Sequence, residues 1–292
     1  MAGLRILLTG AQGQVGHELA RLLRAHGDVR ATDRATLDLA DPDAIVAAMR
    51  AARPQLVVNA GAYTAVDLAE RERDLAFAVN ARAPQVLAEE AKRAGALLIH
   101  YSTDYVFDGA ATAPYAEGAP TGPLNAYGAS KLEGEQAIAA TGAHALVLRT
   151  SWVYGTRGKN FLLTILRLAA ERDELTIVAD QTGTPNWSRT LAQATSALVA
   201  RGLPDLVERA GLYHLSSTGA TTWHGFATAI VGGGGRPRVV PIATADYPTP
   251  ARRPAYGVLA TDRFRAAFGF ALPPWDEALA ACLAAHAAER TD

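Results

Sequence analysis

One cysteine, Cys282, stands in 292 residues, which excludes an intrachain disulfide and any cysteine-rich metal site. Its apolar neighbours, residues 278–285, mark it as a small core residue rather than a reactive thiol. There is no excess of either charge: 28 Lys and Arg against 29 Asp and Glu leave a formal net charge of -1. That removes any global attraction to nucleic acid or to an anionic membrane. No apolar run reaches the roughly 18 residues of a membrane-spanning helix. The opening MAGLRILLTGAQG turns to glycine too early for a secretory signal. A soluble, cytoplasmic protein with no nucleic-acid or membrane partner is therefore expected. What the chain does have is apolar residue, 49% against 20% charged. That is enough for one large domain, or a large one with a smaller lobe.

Residues 4–9 form a continuous apolar run, as expected of a parallel strand covered on both faces. GAQGQVG follows, with Gly10, Gly13 and Gly16, and then the helical HELARLLRAHG. Strand, glycine turn and helix in this order make a dinucleotide site: glycine lets the backbone approach a pyrophosphate, whose charge rests on the helix N-terminus. The spacing is three and three, a variant of GxGxxG, and Gln12, Gln14 and Val15 share the turn. A second strand, 28–32, ends at Asp33-Arg34. Asp33 suits a ribose 2′-hydroxyl and Arg34 a 2′-phosphate, so NADH and NADPH both stay open. Asp38 and Leu39 can flank the adenine. Asp38 can equally cap the helix that follows, although Asp41, just before Pro42, is the better N-cap.

A third strand, 55–60, opens into Ala60, Gly61, Ala62 and Tyr63, small or flat residues at the sheet edge where ligands bind. Thr64, Val66 and Asp67 follow where a substrate can arrive; a plain strand-to-helix loop is the competing reading. Asn80 interrupts a helical pattern, which calls for a bound water or a backbone bulge. The fourth strand, 96–101, places Ser102, Thr103, Asp104 and Tyr105 at the same edge, with His100 read as a core histidine facing the same way as Ser102. Glu117 lies in a Pro/Gly/Thr-rich loop, either a surface charge or a brace.

PLNAYGASKLEGE then carries Tyr127 and Lys131 four positions apart on one helix face. An ammonium beside a phenol favours the phenolate, against an ordinary pKa of about 10. Tyr127 is thus a candidate proton donor or acceptor for a carbonyl/alcohol pair, with Thr103 converging on the same oxygen. In the second half, residues 145–150 read as a strand delivering Trp152 and Tyr154, Asn160 as an N-cap with a nucleotide diphosphate contact as the alternative, and 275–288 as a closing helix. Thr221 to Trp223 suggest a cap and a core tryptophan. Arg252 and Arg253, on a proline-stiffened loop, are either a diphosphate clamp or a solvated edge. Nothing ties Gly232 to Gly235 to a function.

GAQGQVG, NAGAYTAVDLAE, HYSTDYVFDG, PLNAYGASKLEGE and RTSWVYG resemble the extended short-chain dehydrogenase/reductase superfamily and, within it, the dTDP-4-dehydrorhamnose reductase family. The likeness continues through DQTGTPNW, GLYHLS and YPTPARRP. The fold it implies is α/β, a Rossmann-type doubly wound parallel sheet with a smaller, mainly C-terminal substrate lobe. Residues 1–152 would form the dinucleotide-binding domain and 153–292 mainly the substrate lobe, with some segments returning. The resemblance makes Thr103, Tyr127 and Lys131 the catalytic trio and puts NADPH or NADH on residues 10–16, 33–34, 38–39, 60–63, Asn80, Tyr127 and Lys131. Thr64, Val66, Asp104, Tyr105, Trp152, Asn160 and Arg253 would contact a nucleotide-sugar substrate, in a monomer or homodimer. Some members dimerise through magnesium held by glutamates. Glu18 fits one such position but Arg189 stands where those members carry a glutamate, so no metal is expected. The implied reaction is hydride transfer to the C4 ketone of dTDP-4-dehydro-L-rhamnose. A related epimerase or dehydratase, and a non-catalytic regulatory subunit, are the alternatives.

Overall fold

A computed structural model describes residues 3–232 and 237–289. Its centre is a parallel sheet of β1 (Leu4–Thr9), β2 (Gly27–Ala31), β3 (Leu56–Asn59), β4 (Leu97–Thr103), β5 (Ala145–Thr150) and a sixth strand, Gly211–His214. The sixth strand pairs with β5, and the order continues β4, β3, β1, β2. Every residue of β3, β4 and β5 is buried, because helices cover both faces. Alternation therefore selects between two cores rather than between core and water. Ile6, Leu8, Val58, Ile99 and Leu148 pack with Leu19, Leu23, Leu191 and Leu198. Leu7, Val57, Leu98 and Val147 pack with Ile45, Met49, Leu87 and Ile138.

The helices that position the site are α1 (Gln14–Leu22), α2 (Pro42–Ala52), the short α3 (Val66–Ala69) and α4 (Arg73–Phe77), α5 (Ala83–Ala94) and α6 (Ala126–Thr141). Asp41 caps α2 through the backbone N–H groups of Asp43 and Ala44, with Pro42 at the first turn. Asn125 caps α6 by accepting from Gly128 N at 2.8 Å. Between α4 and α5 the chain makes a five-residue π-helical turn, Ala78–Arg82. This is the bulge that Asn80 called for. The Asn80 amide is fully buried, accepts from Tyr63 N at 2.8 Å and donates to Tyr63 O and Ser130 Oγ.

A second core gathers Tyr154, Leu162, Leu175, Trp187, Phe226, Leu279 and Cys282. Its helices include Phe161–Glu171, Trp223–Val231 and Trp275–Ala288, beside a parallel strand pair, Glu174–Val178 with Arg238–Ile242. Burial pushes the Cys282 thiol up to about 12, so it behaves as core. The helix Ser188–Ala200 returns to the main sheet through Leu191 and Leu198.

Three expected strands are corrected in their bounds. The second starts and ends one residue earlier than 28–32, the third is shorter by one residue at each end than 55–60, and the fourth starts one residue later than 96 and continues through Thr103; the strand Arg238–Ile242 was not read at all. Gly232, at φ +79°, ends its helix; the rest of the Gly232–Gly235 run lies outside the described residues.

Candidate active site

The glycine turn leaves bare backbone where α1 begins. Gly10 sits at φ +70°, and a Cβ there would come within 2.5 Å of Gly61 N. A Cβ on Gly16 would lie 2.0 Å from Gly10 O. The two loops thus touch through main chain alone. No side chain caps α1, so its first N–H groups face the turn. Gln14 reaches Val153 O at 3.4 Å with its amide nitrogen, while its Oε1 is buried without a partner. Asp33 folds back on its own turn, bonded to Thr36 and Ala35, which holds its carboxyl below the usual range. Arg34 is exposed beside it, Asp38 accepts from Ala40 N, and Leu39 packs on Gly61. Free N–H groups, a glycine cradle and an unpartnered amide oxygen fit a dinucleotide.

Gly10→Ala is expected to weaken dinucleotide binding by at least tenfold in a fluorescence titration. The left-handed backbone alone costs a non-glycine residue about 1–2 kcal/mol, before the contact with Gly61. Unchanged affinity would refute the placement.

Thr103 ends β4, where its Oγ1 accepts from Tyr105 N at 3.2 Å and donates to Asp104 Oδ1 at 3.1 Å. Tyr127, in the first turn of α6, lies edge-on to Tyr105 with ring centroids 5.7 Å apart. Burial pushes the Tyr127 phenol up to about 12; the nearby Thr103 hydroxyl lowers it and the Asp104 charge raises it. Lys131 does not draw it toward phenolate, and that expectation is corrected. The i,i+4 spacing sets both residues on one face, but the lysine stem carries its Nζ into the sheet. There it donates to Tyr101 O at 2.6 Å and meets His100 Nε2 at 3.2 Å. Burial lowers Lys131 to about 8, and the Glu135 charge partly restores it.

Glu135 is a residue the sequence reading missed, although its place four positions after Lys131 was in view. Its carboxylate accepts from Arg149 Nε at 2.9 Å and from the terminal guanidinium nitrogen at 2.6 Å, and from Ser102 Oγ. Arg149, also buried, lies over the Phe107 ring at 5.0 Å. Glu117 is a brace rather than a surface charge: it is buried, and its carboxylate accepts from His214 N.

Asp104 is 2% exposed and its Oδ2 has no partner. Burial pushes its carboxyl up to about 7. Between about pH 4 and 7 the folded chain holds a proton that the unfolded chain has released, so stability falls as pH rises through that window. Asp104→Asn removes the penalty. Its melting temperature should exceed the native protein's at pH 8 and match it near pH 4; an equal gap at both would contradict the burial argument.

Among the remaining expected contacts, Arg253 and not Arg252 turns inward. It makes a bidentate pair with Asp67, at 2.9 and 2.7 Å, and its charge acts on Tyr105. Thr64 is exposed on the loop before α3, and Val66 opens that helix beside Asp67. Tyr63 and Tyr127 both pack against the small cluster of Ala69, Ala76 and Ala126, and Ala62 is half-buried between Gly61 and Tyr63. Trp152, at φ +42°, stacks on Trp223 with centroids 3.6 Å apart. Asn160 is engaged as an N-cap: its Oδ1 accepts from Leu163 N, and its Nδ2 donates to Gly155 O and Arg157 O. That takes up the groups a diphosphate contact would need. Trp152 and Asn160 find these partners outside the Thr103–Tyr127 cluster. Glu18 is buried and bonded to Arg189, which also reaches Glu289. Among the described residues, no group of three or more His, Cys, Asp or Glu is arranged to hold a metal ion.

The family model described as RmlD substrate binding domain matches residues 4–288. The chain is similar to dTDP-4-dehydrorhamnose reductase of Burkholderia thailandensis, 50% identical over 292 residues that cover 96% of this chain and 98% of the relative. It is 44% identical to the enzyme of that name from Escherichia coli K12, over 93% of this chain and 94% of the other. The fold matches a crystal structure of dTDP-4-dehydrorhamnose reductase from Bacillus anthracis in complex with NADP. The TM-score is 0.90 at 35% identity, covering 97% of this chain and 99% of that one.

Proposed function

The chain belongs to the RmlD substrate binding domain family, and on that premise we propose how its residues carry out the reaction. It reduces dTDP-4-dehydro-L-rhamnose to dTDP-L-rhamnose with NADH or NADPH. The observation that best supports the assignment of roles is the meeting of buried Thr103 with half-buried Tyr127 at the carboxyl edge of the sheet, beside the buried lysine of the next helical turn.

The turn 10–16, with Asp33, Arg34, Asp38, Leu39 and residues 60–63, would hold the dinucleotide, and Lys131 its nicotinamide ribose. Asn80, fully buried with its amide engaged by Tyr63 and Ser130, serves by fixing the backbone of that 60–63 loop rather than by touching the cofactor. When bound, the reduced nicotinamide supplies the hydride for C4. Tyr127 gives its phenolic proton to the oxygen of the developing alkoxide. Its raised pKa suits this direction, because the phenol stays protonated at neutral pH. Thr103 donates to the same oxygen by releasing Asp104. Asp104, Tyr105, Thr64, Val66 and Trp152 would shape the sugar pocket. Arg253, now paired with Asp67, would exchange that carboxylate for the substrate diphosphate, using remote binding energy to orient C4.

We assign the dinucleotide to residues 1–152 and the sugar nucleotide mainly to 153–292, with Ser188–Ala200 and Gly211–His214 returning to the main sheet. Cytoplasmic action on a small nucleotide sugar, without nucleic acid or membrane, completes the reading. Among the described residues no helix is long and apolar enough to cross a membrane. Monomer and homodimer serve equally, since every residue invoked lies in one chain.

The deciding experiment follows nicotinamide oxidation by the purified protein with dTDP-4-dehydro-L-rhamnose, running NADH and NADPH in parallel. Turnover is expected and ranks the cofactors. A folded protein that binds dinucleotide but turns over with neither would overturn the reaction in favour of another nucleotide sugar or a regulatory role.

A further inference from the structure

The lysine of the trio has a buried companion that the mechanism above leaves idle. Thr9, Asn59 and His100 stand opposite one another on β1, β3 and β4, in register across adjacent strands. Each is at most 1% exposed. Thr9 Oγ1 lies 2.6 Å from Asn59 Oδ1, the Asn59 amide nitrogen 2.9 Å from His100 Nδ1, and His100 Nε2 3.2 Å from Lys131 Nζ. At the far end Gly61 N donates to Thr9 Oγ1 at 3.4 Å. Three buried polar side chains on adjacent strands of a Leu/Ile/Val sheet, two of them at the strands' carboxyl ends, cost free energy that a hydrophobic core does not require. They satisfy one another, and the row runs unbroken from Lys131 to the loop that touches Gly10.

The direction of the row follows from proton counting. Burial and the Lys131 charge push His100 well below its ordinary range, so its ring is neutral and carries one N–H. With the Asn59 amide nitrogen toward Nδ1, that hydrogen sits on Nε2 and points at an ammonium that also donates. A half-turn of the amide, which exchanges its near-identical oxygen and nitrogen, removes the conflict. Nδ1–H then donates to Asn59 Oδ1, the amide nitrogen donates to Thr9 Oγ1, and the Nε2 lone pair accepts from Lys131.

We propose that His100, held as its Nδ1–H tautomer by Asn59, is a positioning residue that fixes Lys131 as an ammonium ion and couples it to the dinucleotide loop. The proposal rests on the catalytic role given to Lys131 above. The other charged group acting on that lysine is Glu135 on α6, itself paired with Arg149 on β5. Tyr127, one turn earlier on α6, is set instead against Thr103, Asp104 and Tyr105 at the end of β4.

Two measurements test it. Nitrogen-15 NMR of histidine-labelled full-length protein, without substrate, should show His100 protonated at Nδ1; protonation at Nε2 would overturn the proposal. In kinetics, His100→Asn keeps an amide within reach of Asn59 but falls short of Lys131, whereas His100→Gln can present an oxygen near the Nε2 position. A hydrogen bond to a charged group is worth about 1.5 kcal/mol or more, close to tenfold. His100→Asn should therefore lose about tenfold in kcat and move the alkaline limb of its pH profile down by about one unit, while His100→Gln stays within about threefold of native. Equal losses in the two variants with an unshifted limb would mean that His100 only fills the core. The tautomer is read without turnover, so it decides the positioning claim even in a protein that reduces no sugar nucleotide, the result that would refute the reaction instead.

Discussion

Tyr127→Phe is expected to lower kcat by about 10²–10⁴-fold, the share usually supplied by a positioned general acid, while dinucleotide affinity stays native. The substitution removes one oxygen and keeps the ring. The edge-on contact with Tyr105, at 5.7 Å and 76°, is preserved, as is the packing against Ala69, Ala76 and Ala126. Thr103 remains to hydrogen-bond the substrate oxygen but is a poor acid, so the alkoxide must wait for water. The Lys131 contacts to Tyr101 O and His100 do not involve the phenol, which is why binding and turnover should separate. Steady-state rates beside a cofactor titration measure both. A variant that kept near-native turnover would remove Tyr127 from the mechanism.

Arg149→Met is expected to destabilise the fold by about 3–5 kcal/mol, the usual consequence of stranding one partner of a buried ion pair. Glu135 would lose both guanidinium bonds and keep only the Ser102 hydroxyl. Both side chains of the pair are less than a tenth exposed, so water cannot substitute for the arginine. Adding Glu135→Leu should recover most of the loss, because two apolar residues of similar volume often replace such a pair at little cost. The double variant should still be a poorer enzyme, since the Glu135 charge offsets the burial of Lys131. Urea denaturation of the single and double variants gives the stabilities. A single variant within about 1 kcal/mol of native would mean that the carboxylate had found another partner or a proton, at odds with a stranded charge.

Local features were readable wherever a short pattern determines them. Leu4–Thr9 and Trp275–Ala288 have the expected bounds, and Asp41, Asn160 and Thr222 cap helices through their own side chains. Asn80 announced the π-helical turn because a buried amide inside a helix needs a partner that straight helix does not provide. What stayed hidden depends on packing between distant segments. Strand alternation put His100 with Ser102, and both do face α6, His100 meeting Lys131 and Ser102 meeting Glu135. Nothing local says that this helix lies over that strand. The pairing of Asp67 with Arg253 joins residues 186 positions apart. The same limit misdirected the reading of Lys131: helical spacing alone predicts a neighbour, but a long side chain reaches whichever acceptor the sheet beneath it offers.

The sixth strand has a consequence during synthesis. Among the described residues Gly211–His214 is the strand that pairs with the outer edge of β5, yet it leaves the ribosome after roughly 60 further residues have been added. At about 5–20 residues per second the nascent sheet waits roughly 3–12 s with that edge unpaired, an invitation to pair with a neighbouring chain. A ribosome stall placed anywhere in that interval would prolong the exposure of that edge.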